Sequence, residues 1–152
     1  MTIVRHFAIC IACVGATTAW SASPATGPSE PAIAHAIAAH KLMSVTQVEY
    51  CMRNLPEIRL ELALAHATFV QALDRAGDLL GQRYPALSQV RLGSDGREAE
   101  RALRGAQASG PDRFCVPMLY RMHNSTGRSV AEELAPTFEI LLEKVSNPPS
   151  RR

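Results

Sequence analysis

At 152 residues the chain has the length of a single domain, with enough sequence to bury a real core once a targeting segment is set aside. Its formal charge of +2 is too small for a general polyanion binder, which excludes nucleic acid as the expected partner. Hydrophobic residues make up 47% and aromatic residues only 5%, an alanine-rich balance that favours thin, closely packed helices over a β-sandwich. Fourteen arginines stand against two lysines, a bias that fits a GC-rich bacterial genome better than any particular chemistry.

The first 21 residues read as a secretory signal. Arg5 supplies the positive start, Phe7 to Ala16 the apolar core, and Ala19 and Ser21 the small residues that cleavage requires. The apolar run is too short for a spanning helix, so the mature protein is expected to be periplasmic or secreted, without a stable membrane span. Cleavage would remove Cys10, Cys13 and Trp20, leaving Cys51 and Cys115 as an even pair. In an oxidising compartment that pair is expected to form a disulfide, stabilising the fold by about 4 kcal/mol through loop closure. Residues 22–31, rich in Pro, Ser and Gly, read as a flexible lead-in.

Ala32 to Arg53 is helical by composition, and Ser44-Val-Thr-Gln47 has the form of a capping box. The expectation there is a helix kinked or restarted at Ser44. The stretch Asn54 to Gly81 organises the rest of the chain. Ile58, Leu62, Ala65, Phe69, Leu73, Ala76 and Leu80 recur at steps of three and four, which places all seven on one stripe of a helix. Glu57, Glu61, Thr68, Gln71, Arg75 and Asp78 form the polar stripe. Asn54, Pro56 and Glu57 make a start signal, Gly81 a stop, and Tyr84-Pro85 opposes any return to helix.

Two turn signals follow, Tyr84-Pro85 and Gly93-Ser-Asp-Gly96, with Leu87 and Val90 spaced for a single helical turn between them. Arg97 to Gln107 is a short, strongly charged helix. Asp112 is placed to cap the next helix, which runs through Cys115 to about Asn124, with Pro117 predicting a bend or a delayed start. Ser129-Val-Ala-Glu132 is a third capping box, opening a last helix in which Pro136 should produce a kink. The expected fold is therefore all-α: a small antiparallel bundle of about four main helices and one short one, pinned by one disulfide. The helical domain spans 32–146 and residues 147–152 form a disordered tail.

Candidate sites are sparse. His35, His40, His66 and His123 lack metal-ligand spacing, and there is no Cys-x-x-Cys-His, so neither a metal nor a cofactor is expected. No G-x-S-x-G, phosphate loop or cysteine–histidine pair offers a catalytic residue. Arg97, Arg101 and Arg104 share one face of the short helix, where Glu98 and Glu100 are placed to pair with Arg101 and Arg104. Gln82 to Gly110 is turn-rich, arginine-rich and poor in anchoring apolar residues. Tyr84 and the three arginines are accordingly the predicted partner-binding residues. The sequence points to a protein that binds a protein or envelope component as an inhibitor, immunity or accessory protein. The alternatives are a small helical enzyme that holds an anionic substrate with arginines, and a structural protein of the envelope.

Overall fold

The computed structural model describes residues 30–93 and 97–147. The signal segment, nearly all of the lead-in, and the tail after Asn147 lie outside the described residues. Ahead of the first helix, Glu30–Pro31 forms a two-residue strand, β1. Five helices follow among the described residues: α1 (Ala32–Asn54), α2 (Arg59–Arg83), α3 (Arg97–Ser109), α4 (Pro111–Asn124) and α5 (Gly127–Ser146). A second two-residue strand, β2 (Arg91–Leu92), pairs antiparallel with β1 and ties the chain after α2 back to the start of α1. The all-α class is shown.

α2 is the central element, with α1, α4 and α5 all packed on it. Leu62, Ala65, Phe69, Leu73, Ala76 and Leu80 are all buried, and Ile58 is half-buried against them. The apolar stripe read from the sequence is thus the core-facing stripe. The ends of the helix differ from expectation. Asn54 closes α1, its side chain donating back to the Tyr50 carbonyl, and Pro56–Ile58 forms a 3₁₀ turn before α2 begins at Arg59. Gly81 lies inside α2, which stops only where Tyr84-Pro85 forbids another turn.

The other capping expectations also shift. Ser44 sits inside an unbroken 23-residue helix, where its hydroxyl donates to the Lys41 carbonyl at 2.8 Å and starts nothing. α4 begins at Pro111, whose fixed φ suits a first helical position, with Asp112 already in the first turn. α4 runs on through Pro117, and α5 through Pro136. α5 is capped by Thr126, whose hydroxyl accepts from the Ser129 amide at 3.1 Å while the Ser129 hydroxyl accepts from the Thr126 amide at 2.9 Å. Ser129 is the far half of that box, so the Ser129–Glu132 pair is not used.

Helix directions depart from a simple antiparallel bundle. Ile37 meets Gly77, Lys41 meets Asp74 and Ser44 meets His66, so α1 and α2 lie antiparallel as expected. Phe114 meets Tyr50 and Cys115 meets Cys51, while Met118 and Met122 face α1 nearer its middle, so α4 is antiparallel to α1 and runs with α2. α5 also runs with α2, from Gly127 beside Ala72 and Arg75 to Glu139 beside Tyr84. The reason is local. Only Ser125 and Thr126 separate α4 from α5, both extended, and they step the chain sideways without reversing it. α4 therefore covers the first half of α2 and α5 the second.

Cys51 and Cys115 are fully buried, with sulfurs at disulfide distance, 2.04 Å, fastening the end of α1 to the start of α4. Among the described residues no helix is long and apolar enough to cross a membrane.

Candidate functional site

Two regions bear on function, one predicted from sequence and one assembled only by the fold. The predicted region divides. Arg97, Arg101 and Arg104 are exposed on α3, which lies chiefly against α1. Small residues make that contact, with Ala106 fully buried and Ala99 and Ala102 half-buried beside Leu103. They let α3 approach closely while its charged face stays in water. Arg101 lies 3.8 Å from Glu98 and Arg104 lies 3.7 Å from Glu100, the expected pairings. Such exposed pairs contribute little to stability. They do give the guanidinium groups carboxylates from their own helix, which favours a solvated docking face over a cradle for a small anion.

Tyr84 is elsewhere, buried at the end of α2 and not on the exposed face that carries the three arginines. It is 6% exposed, tilted against Phe138 of α5 with ring centroids 6.1 Å apart. Its hydroxyl donates to Glu139 Oε1 at 2.9 Å, and the Arg83 guanidinium reaches the same oxygen at 2.8 Å while lying 5.2 Å from the Tyr84 ring centroid. Loss of water, followed by the bond to Glu139, holds the phenol above its ordinary pKa of 10.0. Tyr84 therefore fastens the end of α2 to α5. Leu87 is fully buried as well, so the segment before β2 belongs to the core and is not a loosely held loop.

The second region is a cavity of about 240 Å³ between α1, α4 and α5. His40, Met43 and Gln47 come from α1, Met118 and Met122 from α4, and Phe69 of α2 forms part of the wall. Arg121 of α4 and Glu133 of α5 close one side as an ion pair. Burial lowers the pKa of His40 below its ordinary 6.5; Glu133 acts against that and Arg121 adds to it. His66 is also lowered by burial, and its Nε2 lies 3.0 Å from the Ser44 hydroxyl. Since the single Ser44 hydroxyl proton goes to the Lys41 carbonyl, neutral His66 must carry its own proton on Nε2 and donate it to Ser44. Ser44 is 3% exposed in the middle of a helix with no spare backbone donors beside it, so the pair is a packing contact between α1 and α2 and not a nucleophile with its base.

Sequence spacing alone did not find this cavity, because its residues come from four separate stretches. The available signal was two chelate-like spacings, His40 to Met43 and Met118 to Met122, each on one helical face. The histidines are not gathered: among the described residues no three His, Cys, Asp or Glu side chains come together as ligands of a hard metal would.

The outer helix faces carry exposed apolar side chains as well as charged ones. Leu60 and Leu64 are 69% and 64% exposed one turn apart on α2. Val116 and Tyr120 are 52% and 75% exposed one turn apart on α4. Compared with family models, with curated proteins and with solved structures, the chain matches none.

Proposed function

We propose that the protein is an exported bacterial helical protein that acts by binding another macromolecule, as an inhibitor, immunity or accessory protein does. The observation that carries this reading is the exposed pair Val116 and Tyr120 on α4. A tyrosine three-quarters in water is an amphipathic anchor with few rotamers to lose, the residue type on which interface energy concentrates. It stands on a helix whose second turn is fixed to α1 at Cys115, so a partner would meet a preorganised surface. The exposed arginines of α3, a helix that packs on α1 and on α4, are proposed as the charged part of the same docking surface. Tyr84 has no part in it.

The test is photo-crosslinking from position 120 in native envelope extract, with V116S/Y120S as the matched control. The expected result is one crosslinked species that the control and R97A/R101A/R104A both weaken, with helicity unchanged. No species distinguishing the wild type from its controls, together with turnover of a small substrate, would refute the proposal. Export is tested separately by the mass of the mature chain, which should begin at residue 22.

A further inference from the structure

The chain contains five methionines, one of which is Met1, and three of the remaining four line the cavity between α1, α4 and α5. Methionine is a common gap-filler in cores, and that role alone would scatter these residues through the interior. Here they are concentrated around open space, in company with one imidazole. His40 and Met43 are three apart on α1, and Met118 and Met122 four apart on α4, so each helix presents two donors on one face. α4 lies antiparallel to α1 across the cavity, and the Cys51–Cys115 link, one turn before Met118, fixes the two donor pairs relative to each other.

The donor chemistry is selective. Three thioethers and an imidazole are uncharged, and thioether sulfur is a soft ligand that discriminates against magnesium, calcium and manganese and favours copper(I). The cavity offers neither a thiolate nor a cluster of carboxylates, which leaves zinc without its usual ligands. Three histidines are half-buried, His35, His40 and His66; His66 is engaged by Ser44, and His40 is the one that lines this cavity. Its imidazole is therefore available to a guest in the cavity at the cost of displacing water only. Glu133, at the cavity edge, places one negative charge beside a monovalent guest, although its pairing with Arg121 offsets part of that attraction.

We propose that His40, Met43, Met118 and Met122 form a binding site for a soft monovalent metal ion, copper(I) or its redox-inert analogue silver(I). The site is independent of the docking surface proposed above and involves no redox step. It predicts that the metal is held between α1 and α4 and stabilises their contact.

The experiment uses the full chain with Cys10 and Cys13 replaced by serine, so that no thiol outside the cavity takes up metal, and titrates it with silver nitrate in chloride-free buffer. Calorimetry is expected to show one silver ion per chain. The methionine methyl NMR signals of Met43, Met118 and Met122 should move while that of Met52 stays fixed. M118L/M122L keeps the core volume and should weaken binding by more than about 100-fold, because loss of an outer-shell partner alone commonly costs about 10- to 100-fold. If that variant fails to fold, M43L, at a half-buried position, is expected to weaken binding on its own, whereas M52L is not. Absence of silver binding, equal binding by the wild type and the leucine variants, a Met52 signal that moves with the others, or zinc bound as tightly at the same residues would each overturn the site.

Discussion

Adding one methyl group at each of three glycines should give opposite signs, and the signs follow from the fold. Inside a helix, replacing glycine by alanine removes backbone freedom from the unfolded chain and is worth about 0.5–1 kcal/mol. Gly81 and Gly105 lie inside α2 and α3 with nothing within 4 Å of an added Cβ, so Gly81→Ala and Gly105→Ala should stabilise by up to that amount. Gly127 opens α5 where it crosses α2, and there an added Cβ would stand 2.5 Å from Arg75 Cβ and 3.4 Å from the Arg75 carbonyl carbon. Neither atom is the end of a flexible chain, so α5 must move off α2. Forced shifts of this kind cost about 1–3 kcal/mol, more than the propensity gain at a first helical position. Gly127→Ala should therefore destabilise by about 1–2 kcal/mol net. Urea unfolding followed by circular dichroism, with unchanged slopes, reads all three. A neutral or stabilising Gly127→Ala would refute the close approach of α5 to α2. A Gly81→Ala that costs stability would restore the sequence-based expectation that this residue ends α2 in the left-handed conformation; among the described glycines only Gly110 has a positive φ.

Leu73→Ala, at a core side chain 1% exposed, should cost about 2–5 kcal/mol, whereas Arg104→Ala should change stability by less than about 0.5 kcal/mol; equal losses in urea unfolding would make the α3 arginines structural. Intact mass with and without reduction should show Cys51 and Cys115 joined in exported protein, and breaking the link should cost about 4 kcal/mol for the 64-residue separation. Two free thiols in the exported form would overturn both the pairing and the compartment. His40 and His66 have folded pKa values below the 6.5 of the free side chain, so their contribution is complete above that value. It is lost as pH falls through the lower folded values, because the unfolded chain then binds the protons that burial refuses. Urea midpoints should accordingly drop between about pH 7 and pH 5, with a shallower slope in His40→Gln and His66→Gln; an unchanged slope would remove the histidines from the account.

The central helix was legible because seven apolar positions recur at steps of three and four on one face. The pairing of Cys51 with Cys115 was legible by elimination. Helix boundaries were not, and the reason is common to Asn54, Ser44 and Ser129. A capping box is a local pattern of two residues, and each half has another use when the flanking sequence already favours helix. Ser44 bonds to its own helix, Asn54 closes α1, and Ser129 serves as the far partner of Thr126. Tyr84 misled for a related reason. A tyrosine after a helix and before a proline reads as a surface residue, but its partners Phe138 and Glu139 lie more than fifty positions away, and only the path of α5 brings them there.

The path of α5 also determines where the molecule keeps open space. Had the two-residue link after α4 reversed the chain, α5 would have packed back along α4 and filled the gap beside α1. Because Ser125 and Thr126 are extended, α5 continues along α2 instead, and the last turns of α4 face α1 with only Glu133 reaching across from α5. Met118, Met122 and His40 thus line a cavity because of a two-residue step, not because of any property of their own stretches. Each donor pair can be read from sequence as a spacing on one helix. Their convergence depends on the direction of α4 and α5 along α2, which the extended Ser125 and Thr126 set, and on the close approach of α5 to α2 that Gly127 permits. The expected destabilisation by Gly127→Ala and the expected silver site therefore depend on the same feature. A variant that pushes α5 off α2 should also move Glu133 away from the cavity and weaken the site, even though residue 127 touches none of its four proposed ligands.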